Sequence, residues 1–483
     1  MNKIDTFLTE IQGFLKTPQF TTDSNECKHY AQDWSNVLTP HSSAILFPES
    51  TAEVSQVLKA ASKHDISIVP SGGRTGLSGG AVATNGEVVL SLSRLNFIRD
   101  LHLGALTLKV GAGAITQAIH EFCEPSGVTW PVDFASKGSS CVGGNIATNA
   151  GGVRVLRYGN TRNWILGLTA VTMDGTIHSF NGELEKNNTG FDFRQLLIGS
   201  EGTLAVITEA TLKLAPLPRS RAVFFFALPD FAAVVALFGF ARSKIPSLSA
   251  FECLDRACLE SVIHHFSLKE PVSLGIGAGN AEPQAFVLME VENSTLDECT
   301  DWLNEIFEAG LVSDGVMAQN EREAKELWHY REGVAESILA GHDVHQEDVS
   351  VPVAHLAEFY SEIHARYAKA FPVVEGKNST RAFFFGHIGD GNLHIFIQRP
   401  KSTNPSSEAE DRTHFLASAK RTDLELFEVL RKFHGSVSAE HGIGVLKRHA
   451  IQFSRTPEEL ALMRGLKAVF DPQGLLNPGK LLP

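Results

Sequence analysis

The sequence predicts an α+β protein of several domains, and three observations carry that reading. Three glycine-rich stretches between residues 70 and 203 are each joined to short runs of β-branched residues. Past a proline-punctuated boundary at Leu214-Ala215-Pro216-Leu217-Pro218-Arg219, strand-like runs are followed by segments of helical spacing. A chain of 483 residues also exceeds what one hydrophobic core organises.

Composition narrows the function classes. Apolar residues at 43% and charged residues at 20% are ordinary for a globular chain. A net charge of −13 argues against a nucleic-acid or anionic-membrane partner, which an excess of carboxylates repels. The six cysteines include no C-x-x-C pair, which fits a reducing compartment and offers no iron–sulfur framework. The N-terminal residues lack the apolar core of a signal peptide. The greasiest stretch, 222–241, is broken by Pro229-Asp230 and reads as strand, cap and helix. The expected location is cytoplasmic.

Residues 1–40 form a helical lead-in, with Ile4, Phe7, Leu8, Ile11 and Phe14 at helical spacing. Ser50 and Glu53 make a capping box ahead of a helix carrying Val54, Val57, Leu58 and Ala61. A strand at 66–69 leads into Pro70-Ser71-Gly72-Gly73-Arg74-Thr75-Gly76-Leu77-Ser78-Gly79-Gly80. Glycine at this density excludes helix and strand and lets backbone N–H groups converge on an anion. The loop is neither a P-loop nor G-x-G-x-x-G. A second stretch is Gly138-Ser139-Ser140-Cys141-Val142-Gly143-Gly144-Asn145-Ile146-Ala147-Thr148-Asn149-Ala150-Gly151-Gly152. A third, Gly199-Ser200-Glu201-Gly202-Thr203, leads into the strand Ala205-Val206-Ile207-Thr208. Three such loops suggest a long diphosphate ligand between two small sheets. Further on, strands are expected at 222–227 and 284–291, and helices at 231–242, 296–308 and 413–433.

The densest chemistry lies in Phe-Phe-Phe-Gly-His-Ile-Gly-Asp-Gly-Asn-Leu-His-Ile-Phe-Ile-Gln, residues 383–398. An Asp390-Gly391 turn would pair His387 directly with His394, with Cβ atoms about 4.5–5.5 Å apart. Two imidazoles can share a transition metal such as zinc but need a third ligand, for which Glu440 in Ser438-Ala439-Glu440-His441-Gly442-Ile443-Gly444 is the best candidate. His441 is the candidate general base. It can share a site with Glu440 only if the strand breaks, and Gly442 and Gly444 allow that. Asp390 and Asn392 read as turn formers.

The three glycine-rich segments resemble the FAD-binding domain of the vanillyl-alcohol oxidase/PCMH-type flavoproteins. The histidine hairpin, the 438–444 segment and the terminal Phe470-Asp471-Pro472-Gln473-Gly474-Leu475-Leu476-Asn477-Pro478-Gly479-Lys480 resemble the FAD-linked D-2-hydroxyacid dehydrogenase branch. That branch holds D-lactate dehydrogenases, the glycolate oxidase flavin subunit and D-2-hydroxyglutarate dehydrogenases. The resemblance implies a PCMH-type FAD-binding domain of two small α/β subdomains at 41–218 and an antiparallel-sheet substrate cap at 219–425. A C-terminal helical segment at 426–483 would return to the flavin. It implies that residues 70–80, 138–139 and 143–152 cradle the FAD pyrophosphate and ring edge. Residues 198–207, with Glu201, Gly202, Val206 and Ile207, would lie along the adenosine side, and Asn477 near the flavin. No histidine lies between Ser71 and Gly80, so FAD is expected to be non-covalent. Arg331 resembles the arginine that pairs with the substrate carboxylate.

The implied reaction is oxidation of a D-2-hydroxyacid with the help of a divalent metal, zinc being expected, with FAD as hydride acceptor and a separate electron acceptor such as an electron-transfer flavoprotein, quinone or cytochrome. A homodimer also belongs to this picture. Three departures bear on the substrate. Hydroxyglutarate-specific relatives carry lysine, asparagine and threonine where this chain has Gln346, Phe396 and Ala335. That disfavours a second buried carboxylate and favours D-lactate or a similar apolar-side-chain acid. D-2-hydroxyglutarate, a glycolate-oxidase-like complex and a zinc hydrolase without flavin remain open alternatives.

Overall fold

The computed structural model describes residues 2–272, 282–372, 379–401 and 405–483. The chain divides into two units, one of Met1–Gly152, Tyr158–Leu217 and Glu440–Pro483, the other of Val153–Arg157 and Pro218–Ala439. The lead-in is part of the first unit, because the helix Lys3–Ile11 buries Phe7 and Ile11 in the core that also takes Val54 and Val57. The expected boundary at 425/426 falls inside the unbroken helix Pro405–Lys432. After entering the second unit at Pro218, the chain leaves it only between Ala439 and Glu440.

In the first unit, β1 (Phe20–Thr21), β2 (Ser42–Leu46), β3 (Ile68–Ser71) and β4 (Glu87–Ser91) form a sheet in the order β1-β2-β4-β3. The three strands β2, β4 and β3 run parallel. Their unbroken apolar runs follow from cover on both faces. Ala44, Leu46, Val88 and Leu90 enter one core, and Ile45, Val69 and Val89 the other. The helix Thr51–Lys63 covers the first face. Ser50 accepts from the Glu53 N–H, but the reciprocal half of the expected capping box does not form. The Glu53 carboxylate accepts instead from the Glu49 N–H and Gln19 Nε2.

A second sheet is antiparallel throughout. It holds β5 (Ile98–His102), β6 (Thr107–Gly111), β8 (Ile165–Val171), β9 (Ile177–Phe180) and β10 (Val206–Lys213), in the order β5-β6-β10-β8-β9. A small pair, β7 (Val128–Thr129) and β11 (Ala215–Pro216), closes the unit. The second glycine-rich stretch is not all loop: Val142–Thr148 is helical, because Val142 and Ile146 bury fully in this sheet's core. Gly143 has to be glycine there, since a Cβ would stand 2.7 Å from that of Ala112.

The C-terminal tail ties into the first sheet. After the helix Pro457–Phe470, Leu476 bridges Ile68 in parallel and the Asn477 N–H donates to the Ile68 carbonyl at 2.7 Å. Asp471 organises this return. Its fully buried carboxylate accepts from Lys467 Nζ at 2.6 Å and from the N–H groups of Leu475 and Leu476, while Lys467 also donates to the carbonyls of Thr203 and Leu476.

The second unit is built on a seven-stranded antiparallel sheet. Its strands are β12 (Arg221–Leu228), β13 (Leu248–Asp255), β14 (Ala285–Glu292), β15 (Asp314–Met317), β16 (His342–Ser350), β17 (Arg381–His387) and β18 (Asn392–Pro400). Their order is β15-β12-β14-β13-β17-β18-β16. The helices Arg256–Phe266, Glu321–Glu332 and Val334–Leu339 cover one face, burying Phe225, Phe286, Phe383, Phe385 and Phe396. The helix Phe231–Lys244, capped by Asp230 as expected, packs against β12, β13 and β14. Among the described residues no helix is long and apolar enough to cross a membrane.

Asp471→Ala strands the Lys467 ammonium and two backbone N–H groups. Urea unfolding is expected to show a loss of about 3 kcal/mol; a loss near zero would mean the tail is held by other contacts.

Candidate functional site

The hairpin that carries the histidines does not have the expected register. Phe385 pairs with His394, and His387 pairs with Glu252 of β13. The physical reason is a longer turn: Ile388–Asp390 forms a 3-10 turn and Gly391 closes it at φ 82°. The slip is by two residues, so both histidines keep the same face of the sheet. They are diagonal neighbours with ring centroids 5.3 Å apart. Asn392 locks the turn, donating to Asp348 Oδ1 at 2.7 Å and to the Val349 carbonyl. Asp390 accepts the Asn392 N–H, and burial pushes its carboxyl up to about 6.

Glu440 is the residue at which the chain passes between units, one bond from Ala439. The Ala439 N–H donates to Asp348 Oδ2 at 3.1 Å, which fixes the chain just before it. Residues 439–441 form a bend and no strand runs through 438–443, and Gly442 and Gly444 have φ of 78° and 50°. His441 Nε2 is 3.9 Å from Glu440 Oε1, and the His441 carbonyl accepts from Ser78 Oγ.

Arg331, on the helix Glu321–Glu332, is 7% exposed and lies over the Phe385 ring at 5.1 Å. Its NH2 is 2.9 Å from Glu252 Oε2 but off the hydrogen-bond direction, so Nε and NH2 have no aligned acceptor. Phe396 packs edge-on to Phe385 at 5.0 Å and stands directly opposite Gln346, while Ala335 lies against the same core. The two carboxylates that brace this face, Glu252 and Asp348, escape a reading by motif. The available signal was an acidic residue inside an apolar strand run, as in Leu248-Ser249-Ala250-Phe251-Glu252-Cys253-Leu254. On the opposite face of β16, His345, Glu347 and Asp423 form a second cluster, with His345 Nε2 2.8 Å from Asp423 Oδ1.

In the first unit, the 70–80 loop, the 143–152 segment, the turn at 199–203 and Asn477 meet. Asn477 Nδ2 donates to the carbonyls of Gly80 and Glu201. Four residues without the freedom of glycine, Arg74, Asn149, Glu201 and Asn477, adopt positive φ here, a strain that concentrates at functional sites. Ser71 Oγ and Asn477 Oδ1 are buried without a hydrogen-bond partner, as fits a wall built for a polar ligand. Three expected ligand side chains are committed elsewhere. Arg74 donates to the His29 carbonyl and lies over Tyr30; Asn145 donates to Thr116 Oγ1 at 2.7 Å. The Glu201 carboxylate, its pKa raised by burial, accepts from the N–H groups of Ile443 and Gly444.

Comparison with known proteins agrees with this architecture. Residues 217–481 match the family described as FAD linked oxidases, C-terminal domain, and residues 42–181 match an FAD binding domain. The chain is 42% identical to D-2-hydroxyglutarate dehydrogenase of Xanthomonas citri pv. viticola, over 99% of this chain and 97% of that protein. It is 38% identical to D-2-hydroxyglutarate dehydrogenase of Stutzerimonas stutzeri, over 98% of each. The crystal structure of p-cresol methylhydroxylase with substrate bound superposes with a TM-score of 0.74 at 15% identity, over 99% of this chain and 96% of that one, a likeness of fold alone. The chain belongs to the FAD-linked oxidase family, in its D-2-hydroxyacid dehydrogenase branch.

Acid denaturation of the yellow protein should release all of its FAD into the supernatant, since no histidine lies between Ser71 and Gly80 to anchor it. Flavin retained by the precipitate would contradict non-covalent binding.

Proposed function

We propose that the chain is an FAD- and metal-dependent D-2-hydroxyacid dehydrogenase that passes electrons to a carrier and not to NAD. The observation that carries this reading is the pair of imidazoles, His387 and His394, on one sheet face, with Arg331 joined to His387 through Glu252; Glu440 is taken as the third ligand. Two imidazoles and one carboxylate suit zinc and leave a position open for substrate, the pattern of a catalytic site. FAD, cradled by the backbones of 70–80 and 143–152 beside Asn477 and Ser71, supplies the hydride acceptor. The metal supplies Lewis acidity toward the substrate hydroxyl.

The chain's own residues do the rest. Arg331 grips the substrate carboxylate with its two free N–H edges and fixes the α-carbon. His441 takes the hydroxyl proton on a ring nitrogen as hydride leaves the α-carbon, so the acid loses two electrons and two hydrogens and becomes a 2-oxoacid. The phenylalanine-lined face around Phe385 and Phe396 keeps water away.

Phe396, Gln346 and Ala335 support an apolar side chain on the substrate, with D-lactate or a longer D-2-hydroxyacid favoured. A second reading, D-2-hydroxyglutarate, draws support from the names of the two bacterial relatives. Phe396→Asn separates them: it is expected to raise kcat/KM on D-2-hydroxyglutarate relative to D-lactate by about tenfold or more, the effect of one hydrogen bond to a charged group. An unchanged ratio contradicts the pocket assignment. Under anaerobic conditions a D-2-hydroxyacid should bleach the flavin, and exhaustive chelation should stop the bleaching with FAD still bound. Undiminished bleaching after chelation would exclude the metal role.

A further inference from the structure

Glu252 is a carboxylate at 1% exposure, placed between Phe251 and Cys253 on the central strand β13. Burying it for packing alone is unfavourable, because an ionised carboxylate loses its hydration. Its surroundings show what compensates. Oε1 and Oε2 lie 2.9 and 2.8 Å from His387 Nδ1, and Oε2 lies 2.9 Å from Arg331 NH2. The contact with His387 follows from strand register, since the two residues are direct cross-strand partners.

We propose that Glu252 is a positioning residue that sets the metal ligand His387 and the carboxylate anchor Arg331 with one side chain. This inference rests on the metal reading of His387. A carboxylate only accepts, so His387 carries its hydrogen on Nδ1 and presents a bare Nε2. The ring can neither flip nor rotate without losing that bond. The same carboxylate balances the buried guanidinium, holding it over Phe385 with Nε and NH2 still free to donate. The other histidine is braced differently: Asp348 Oδ1 is 3.6 Å from His394 Nδ1, longer than a hydrogen bond, while Asp348 accepts from Asn392 and Ala439. Glu252 therefore links where the ion sits to where the substrate carboxylate sits.

The test uses the full FAD-loaded chain and its Glu252→Ala, Glu252→Gln and Arg331→Ala variants. Zinc affinity is read by chelator competition, KM and kcat on D-lactate, and flavin content with thermal midpoint as folding controls. Glu252→Ala is expected to bind zinc about 10- to 100-fold more weakly, the usual cost of losing such a brace. Glu252→Gln keeps an oxygen for the Nδ1 hydrogen, so its zinc affinity should fall by about threefold or less. Its NH2 cannot pair with Arg331, and KM should rise more than kcat falls. Arg331→Ala should raise KM with wild-type zinc affinity.

A folded Glu252→Ala chain that binds zinc within about threefold of wild type overturns the positioning role and leaves the metal reading intact. Zinc affinity lost equally in Arg331→Ala also overturns it, since that marks a general collapse of the site. A wild-type chain that takes up no zinc sinks the metal reading and this inference together. Where Glu252→Ala does not fold, an unchanged KM in Glu252→Gln overturns the proposal.

Discussion

Charged and polar groups can sit on a phenylalanine-lined sheet face only if each finds a partner there. On the face bearing His387 and His394, Glu252 and Asp348 satisfy that requirement, and the rest of the site is arranged around them. Glu252 meets a histidine and an arginine. Asp348 meets the turn residue Asn392 and the backbone just before Glu440. Removing either would leave buried charge or donors exposed to an apolar core, which costs far more than the same change at the surface. Rigidity of the hairpin thus follows from these buried polar bonds as well as from turn propensity.

The first unit solves a different problem with backbone. Glycine-dense loops at the ends of short strands must be pinned without side-chain bulk, and the C-terminal tail does the pinning. Asn477 joins the 70–80 loop to the 199–203 turn, and Glu201 holds the loop that follows His441. Asp471 and Lys467 fix the tail itself.

Much of this was legible in the sequence where periodicity and local chemistry act alone. The Asp230 cap, the helix Leu296–Glu308, and the burial of Val54, Val57, Leu58 and Ala61 follow from near neighbours. That His387 and His394 share one sheet face was legible because strand parity survives a two-residue slip. The slip itself was not, because a two-residue Asp-Gly turn and a 3-10 turn closed by the same glycine share one sequence signal. Tertiary bonds of Asn392 decide between them. The helix Val142–Thr148 was hidden by its two glycines, of which Gly143 serves close packing on Ala112 and not a loop. Arg74 and Asn145 were assigned to the FAD cradle by resemblance, which gave no sign of the bonds their side chains make to His29 and Thr116. Glu252 and Asp348 announce themselves only as acids in strands, and their partners lie 135 and 44 residues away.

The central claim is that two imidazoles and one carboxylate hold a divalent ion. Zinc-edge X-ray absorption on the FAD-loaded chain addresses it without reference to turnover. The expected spectrum has a nitrogen and oxygen shell at about 2.0–2.1 Å, with outer scattering from two imidazoles that drops to one in His394→Ala. A sulfur shell at about 2.3 Å, or an imidazole count unmoved by that substitution, would contradict it.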